Sequence, residues 1–358
     1  MYEARSMDRP SIEEHLWPLG RARARRPNWR KDWPPSFYGR GNLCRIAGHF
    51  INDVGLQPTQ VFERDEPAGR NTQVAVCIVT SPYVEIERSL RQRGFLDVLP
   101  FYDYAYLWHD RHPLAENGWY ADPFDDVEQG RIAEVWHRWE DPISRAHHLQ
   151  FIAWRRIREE WTFANAPVTN EDRYFIPEVR AALHDHEVFL DGGAYHGDVA
   201  AKFVEVAGGD HASVVLVEPD AKNAERAAAT PWTVIRCALG SGRYVGYFRD
   251  GFGYASRLGD ASNGRPCKVE TIDGLTIPAT FIKLHLEGGE LDALRGAIHT
   301  LRTHRPVLAV TVYHSADGIW RTPEWLMANL EDYRFLFRNH CWCGAGAVVY
   351  AIPNERAK

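Results

Sequence analysis

Four titratable side chains crowd one short stretch of the chain: Lys283, His285, Glu287 and Glu290, the last two on either side of Gly288-Gly289. On a strand, side chains alternate, so Lys283, His285 and Glu287 share one face while Leu284 and Leu286 pack the other way. Polar groups on a strand deep in a sheet are costly unless paired or used. The plain alternative is a buried Lys–Glu pair helped by a histidine. A second histidine, His314, stands at the end of an apolar run with Asp317 close behind. An imidazole or a carboxylate in such a place can take a proton from a reacting hydroxyl. A structural, hydrogen-bonded histidine is the competing reading for His314.

Upstream lies the turn Asp191-Gly-Gly-Ala-Tyr-His-Gly197, entered from an apolar strand at 188–191. A strand that ends in a glycine turn and restarts as a helix holds a nucleotide-like cofactor at the carboxyl edge of an open α/β sheet. Tyr195 occupies the place of the middle glycine in the dinucleotide pattern, which leaves less room for a pyrophosphate. A cofactor without phosphates fits better, and S-adenosylmethionine is the obvious candidate. Asp191 would then hold its amino-acid end, directly or through water. Glu218, 21 residues after Gly197 and at the tip of the next strand, would accept both ribose hydroxyls. The alternative is an ordinary strand–turn–helix with an Asp cap.

The elements that must position these groups alternate regularly. Strands are predicted at 188–191, 214–218, 233–236, 279–286 and 307–313, with helices at 199–206, 221–229 and 290–300 between them. A β insertion at 244–248 and 268–272 surrounds a Gly/Ser/Asn loop whose Tyr254 and Ser256 could line the cofactor or substrate. A helix at 323–330 and strands at 335–337 and 347–350 follow. β-branched strands alternating with helices predict a mainly parallel sheet with right-handed crossovers. The expected organisation is an arm (1–35), a half-Rossmann α/β unit (36–124), a helical linker rich in tryptophan (125–172) and the larger α/β domain (173–358). Trp136, Trp139, Trp154 and Trp161 in the linker would either stack on a planar ligand such as a sugar or serve interdomain packing. Gly39-x-Gly41 is a weak sign of nucleotide binding, with packing or substrate positioning the stronger reading.

Hydrophobic content of 45% and charged content of 25% are those of a soluble globular protein, long enough at 358 residues for two domains. The net charge of −6 gives no reason to expect nucleic acid or an anionic membrane as partner. The basic run at 21–26 reads as a solvated, partly ordered arm or as a basic contact patch. No stretch approaches the roughly 20 apolar residues of a membrane-spanning helix, and the N-terminus lacks a secretion signal's apolar core. Six scattered cysteines favour free thiols and a cytoplasmic location, and Cys341-x-Cys343 lacks a second pair to complete a metal site.

From about 173 to 352 the chain resembles the FkbM-type methyltransferases, within the class I S-adenosylmethionine-dependent enzymes. The resemblance rests on Asp191-Gly-Gly-Ala194, on Glu218-Pro-Asp220 with Asn223, and on Lys283-Leu-His-Leu-Glu-Gly-Gly-Glu290 with Leu294, Gly296 and Ala297. It implies a Rossmann-like class I methyltransferase sheet. It also implies cofactor contacts at Asp191, Gly193, Ala194, Glu218 and Asn223, and maps the family's strand-five histidine onto His314. The family's Lys-Ile-Asp becomes Lys283-Leu-His285 here. Histidine can still serve as a base near neutral pH, but it weakens the case for a hard-cation site, and no metal ligands are expected.

The resulting expectation is methyl transfer from S-adenosylmethionine to an oxygen of a small polar metabolite or glycosyl group. His285, Glu287 and His314 are the candidate catalytic groups. N- or C-methylation is the runner-up. A cofactor-binding or partner-organising protein without transfer activity is a rival kept open by His285, and a nucleotide-sugar oxidoreductase built on the N-terminal unit is another. The acceptor, the oligomeric state and any metal requirement are not legible.

Overall fold

The computed structural model describes residues 2–24, 30–31, 33–58, 60–63, 73–115, 119–209, 211–252, 255–262 and 264–357. Strand β1 (Glu3–Met7) leads to a helical stretch, Ile12–Leu16 continuing as Trp17–Arg21, started by the Ser11 hydroxyl accepting the Glu14 N–H. Ile12, Leu16 and Leu19 are buried in the main core, so this segment is packed where an arm was expected. Its apolar positions span too few turns to register as a period in the sequence. Part of the basic run, Arg25 and Arg26, lies outside the described residues.

Next come β2 (Ser36–Tyr38), β3 (Val61–Phe62), β4 (Gln73–Val76) and β5 (Asp97–Pro100), all parallel, in the order β3-β2-β4-β5. Helix Asn42–Asp53 buries Leu43, Ala47, Phe50 and Ile51, the one-sided spacing of a helix packed on a sheet. This is the half-Rossmann unit expected from the sequence.

The linker holds two helices, Asp126–His137 and Pro142–Ile157, broken at Asp141 as expected. Asp125 and Glu128 form a capping box on the first, and Asp141 caps the second with Pro142 inside its first turn. The helical pattern does not run to the end of the linker. Arg158 turns the chain at φ 56°, and β6 (Glu159–Phe163) pairs in parallel with β1. The four tryptophans serve packing. Trp139 donates to His148 Nδ1 (3.0 Å), Trp136 to the Arg145 carbonyl (3.2 Å) and Trp161 to Glu159 (2.9 Å), while Trp154 stacks on Tyr2.

The larger domain is a seven-stranded sheet. Its strands are β7 (Glu187–Gly192), β8 (His211–Val217), β9 (Thr233–Ile235), then, after an insertion, β14 (Phe281–Leu284), β15 (Val307–Thr311), β16 (Tyr333–Asn339) and β17 (Ala347–Pro353). The insertion forms its own four-stranded sheet from β10 (Ala238–Leu239), β11 (Tyr244–Arg249), β12 (Arg257–Gly259) and β13 (Arg265–Glu270). The large sheet runs β16-β17-β15-β14-β7-β8-β9, with β17 antiparallel to both neighbours and the other pairs parallel. Strand order reverses between β7 and β14, and such a switch point opens a crevice at the strands' carboxyl ends. Phe189, Phe203 and Phe281 clasp one face of the sheet, with ring centroids 4.5–6.0 Å apart.

The N-terminal unit is tied to β1 and to the linker through a buried hub. Asp103 accepts from Arg158 Nε (3.0 Å), Tyr2 Oη (2.7 Å) and Trp119 Nε1 (2.9 Å). Farther along, the Trp342 N–H donates to the Val79 carbonyl at 2.7 Å. These bonds hold the N-terminal unit over the carboxyl edge of the large sheet.

Candidate active site

A cavity of about 530 Å³ opens at the switch point. The large sheet supplies one side, through the turn after β7, the tip of β8, and the loops after β14 and β15. The N-terminal unit supplies the other, with Leu43, Ile46, Ile78, Val79 and Tyr102, and Trp119 beside them.

The turn after β7 is fixed by steric demand. Gly193 has φ 72°, and a Cβ there would fall 1.9 Å from the His285 carbonyl oxygen. Only glycine fits, and its close approach locks the β7 turn to the end of β14. Ala194, Tyr195 and Asn223 line the cavity beside it. Glu218 is 6% exposed and turns its carboxylate to the same wall, where Oε2 accepts the Tyr195 N–H (2.8 Å) and Oε1 the Asp220 N–H (3.0 Å). Burial pushes its carboxyl up to about 7, against the lowering effect of those two N–H donors. The Asn223 side chain is a further donor to this carboxylate and also lowers it.

Asp220 organises the far rim. It caps helix Ala221–Ala227, and its Oδ2 accepts the Gly251 N–H (3.0 Å) and the Ser256 hydroxyl (3.2 Å). That pins the insertion loop to the cavity and places Ser256 on its wall, as expected; Tyr254 lies outside the described residues. Cys237, Ala238, Leu239 and Phe248 add an apolar slot next to Glu218. A carboxylate for two hydroxyls beside an apolar slot suits a nucleoside.

Asp191 departs from its expected place. It is fully buried behind the cavity wall, and its Oδ1 pairs with Lys283 Nζ at 2.7 Å. Lys283 also donates to the Gly193 carbonyl (2.9 Å) and itself reaches the wall. Asp191 therefore positions Lys283 and the turn. Its Oδ2 has no hydrogen-bond partner, the one unsatisfied acceptor of this carboxylate.

The second wall gathers the predicted catalytic groups, by a route that strand alternation does not describe. β14 ends at Leu284, and His285 and Glu287 sit on the loop that follows, with Glu287 at φ 53°. Glu290 holds that loop, accepting the Leu286 N–H (2.9 Å) and the Gly288 N–H (3.0 Å). The same carboxylate receives the Thr311 hydroxyl (2.8 Å) and lies 3.0 Å from His314 Nδ1. Burial pushes Glu290 up, yet the hydrogen bonds from His314 and the loop prevail and hold it below its ordinary value. Glu287 Oε1 stands 3.1 Å from His285 Nε2 and 3.4 Å from His314 Nε2. Burial raises Glu287 from its ordinary value, against the lowering effect of His314 and with the help of the charge of Glu290. Burial also drives His285 well below its usual value, helped by the neighbouring His314, Arg173 and Lys283. The imidazole of His285 is thus neutral near pH 7. The nitrogen and oxygen atoms of His285, Glu287 and His314 lie within 4.8 Å of one another.

Three contributors were not nominated from the sequence. Tyr174 Oη lies 2.9 Å from His285 Nδ1, Tyr313 Oη lies 3.0 Å from Nε2, and Arg173 donates to Tyr313 Oη at 2.9 Å. Tyr313 adjoins His314 in sequence, the one local hint. Tyr174 is 111 residues from His285 and left no signal.

Comparison with known proteins agrees with this architecture. Residues 191–337 match the family model of the methyltransferase FkbM domain. The crystal structure of a methyltransferase FkbM from Methylobacillus flagellatus shares the fold, with a TM-score of 0.55 and 18% identity over 89% of each chain. No curated protein matches the chain. Among the described residues no helix is long and apolar enough to cross a membrane, and all six cysteines are free. The segment that matches the methyltransferase FkbM domain, residues 191–337, therefore supplies the large-sheet side of this cavity.

Proposed function

We propose that this protein transfers a methyl group from S-adenosylmethionine to a hydroxyl oxygen of a small polar acceptor, such as a glycosyl group. The observation that carries the reading is one cavity with two unlike walls: Glu218 and its apolar slot on one, the His285–Glu287–His314 cluster on the other. S-adenosylmethionine, when bound, supplies an electrophilic methyl carbon. Glu218 accepts the ribose hydroxyls, the slot of Cys237, Ala238, Leu239 and Phe248 takes the base, and Gly193 lets the amino-acid end approach the backbone. Asp191 acts from behind through Lys283.

Methyl transfer is a displacement in which the protein mainly aligns the nucleophile and excludes water. A protonated hydroxyl is a poor nucleophile, so it needs activation within hydrogen-bond reach. The cluster supplies it. A neutral imidazole can accept the proton, and a carboxylate 3.1–3.4 Å away steadies the charge that results. Tyr102, Trp119 and the apolar side chains of the N-terminal unit cover the acceptor and keep water out. A carbon or amine acceptor would have less use for this cluster, which is why oxygen is preferred.

The test pairs a calorimetric titration of S-adenosylmethionine with turnover on a panel of hydroxylated acceptors. His285→Ala and His314→Ala should lower turnover by about 100-fold, within the range for a lost acid–base group, while cofactor Kd changes less than threefold or so. Normal turnover in both variants would remove the cluster from the chemistry. No cofactor binding by the folded wild type would remove the whole reading.

A further inference from the structure

We propose that His285, Glu287 and His314 form a binding site for one divalent first-row transition-metal ion. The argument is geometric. Such ions sit about 2.0–2.2 Å from imidazole nitrogen and carboxylate oxygen, so neighbouring ligand atoms in a tetrahedral or octahedral shell stand about 3.0–3.4 Å apart. Glu287 Oε1 lies 3.1 Å from His285 Nε2 and 3.4 Å from His314 Nε2, the spacing of atoms around a shared centre. The third separation also lies within 4.8 Å. Two histidines and one carboxylate are also the donor set of catalytic sites that keep a coordination position open. All three side chains line the cavity, so the open position faces the acceptor.

The surroundings are those of a ligand set. A metal-bound histidine usually gives its other ring N–H to a carboxylate or another acceptor, which fixes its tautomer. His314 Nδ1 lies 3.0 Å from Glu290 Oε1, and His285 Nδ1 lies 2.9 Å from Tyr174 Oη. Both Nε2 atoms are thereby left as acceptors, on the side of Glu287. Glu290 is itself braced by two backbone N–H groups and Thr311. Tyr313 Oη, 3.0 Å from His285 Nε2, is the group an incoming ion displaces or recruits. Charge also permits a cation. Lys283 is paired with Asp191 at 2.7 Å, and the carboxylates of Glu287 and Glu290 offset Arg173 and Arg257, the two cations that act on Glu287. Two imidazoles favour zinc, iron, cobalt or nickel over magnesium or calcium, which prefer all-oxygen shells. An ion here would take over activation of the acceptor hydroxyl; that role rests on the methyl-transfer reading above, whereas binding of the ion does not.

The experiment is a titration of chelator-treated, folded full-length protein with Co²⁺, followed by visible absorption, with S-adenosylmethionine titrated into the same preparation by calorimetry. Expected are one saturable Co²⁺ site with visible d–d bands, displacement by Zn²⁺, no competition from Mg²⁺, and at least tenfold weaker binding in Glu287→Gln and His314→Ala. Tyr174→Phe, which only supports a ligand, should weaken Co²⁺ binding by about tenfold, the lower end for an outer partner. Protein that binds S-adenosylmethionine but gives no saturable Co²⁺ spectrum overturns the metal site and leaves the methyl-transfer reading standing. Co²⁺ binding without S-adenosylmethionine binding does the reverse. Co²⁺ affinity unchanged in folded Glu287→Gln and His314→Ala also overturns the site; if both variants unfold, the wild-type spectrum decides.

Discussion

The affinity for S-adenosylmethionine should depend on pH through Glu218. In the free protein, burial raises this carboxyl to about 7. A ligand that donates two ribose hydroxyls prefers the anion, so binding must first remove the proton wherever the free protein carries one. At pH 6, one unit below that value, about nine-tenths of the carboxyl is protonated, and removing the proton costs about 1.4 kcal/mol. The apparent Kd should therefore be about tenfold weaker at pH 6 than on the plateau above pH 8. The sign is fixed: affinity rises with pH through about 7 and then levels. The ionic hydrogen bonds themselves contribute roughly 1.5–3 kcal/mol each. Glu218→Gln keeps an oxygen for one of the N–H groups of Tyr195 and Asp220 but has no proton to lose. It should bind at least tenfold more weakly at pH 8 and show little pH dependence between 6 and 8.

The assay is calorimetry at pH 6, 7 and 8 in buffers of different ionisation enthalpy, which also counts protons released. Wild type should release close to one proton per cofactor near pH 6 and none near pH 8.5. A flat Kd with no proton release would refute the assignment of Glu218 to the ribose. Equal affinity in Glu218→Gln would do so independently.

Three further outcomes follow from the fold. Gly193→Ala places a Cβ 1.9 Å from the His285 carbonyl at a left-handed position, so it should cost at least about 1–3 kcal/mol in denaturant unfolding and abolish cofactor binding; native stability would refute the close approach. Asp103→Ala leaves the buried Arg158 without its carboxylate and should cost about 3–5 kcal/mol, whereas a loss below about 1 kcal/mol would show that the hub does not tie the N-terminal unit to the linker. Glu160 is pushed up to about 7 by burial, so its ionisation opposes folding above that pH: its contribution is intact below the unfolded value near 4.5 and is lost as pH rises through about 7. Glu160→Gln should thus raise the thermal midpoint relative to wild type more at pH 8.5 than at pH 5, and an equal shift at both would count against it.

The sequence was most legible where local pattern and fold coincide. β7, β8, β14 and β15 all appear where β-branched runs predict them, because a parallel strand buried on both faces has to be apolar along its length. Helix breaks were legible through Asp141-Pro142, whose chemistry is local. What sequence reading missed is long-range. β1 pairs with β6 across roughly 155 residues, and neither segment has a period of its own that identifies it as a strand. The residues named as catalytic candidates, His285, Glu287 and His314, do come together on one wall, but not for the reason given by strand alternation. Alternation would carry Lys283, His285 and Glu287 along one strand face, yet the strand stops at Leu284 and Glu290 folds the next residues back. Asp191 was read as facing the cofactor because of its place in the turn; only the structure reveals that Lys283 arrives from the next strand and claims it.

The histidine at 285 bears most directly on whether this chain has kept its chemistry. Were His285, where the resembled family's motif has aspartate, a mark of lost function, its neighbours would have no reason to fit an imidazole. They do fit one. Tyr174 and Tyr313 place their hydroxyls 2.9 and 3.0 Å from the two ring nitrogens, and Glu287 stands 3.1 Å from Nε2. An aspartate is shorter, and its two oxygens both accept from one end, so it cannot bridge hydroxyls set on opposite sides of a ring. His285→Asp alone should then leave one partly buried phenol unpaired, at about 1–3 kcal/mol. It should lower both stability and turnover rather than restore a family-like site. A pocket this specific to imidazole argues for a retuned reaction centre, which is why the methyl-transfer reading is preferred to one without catalysis.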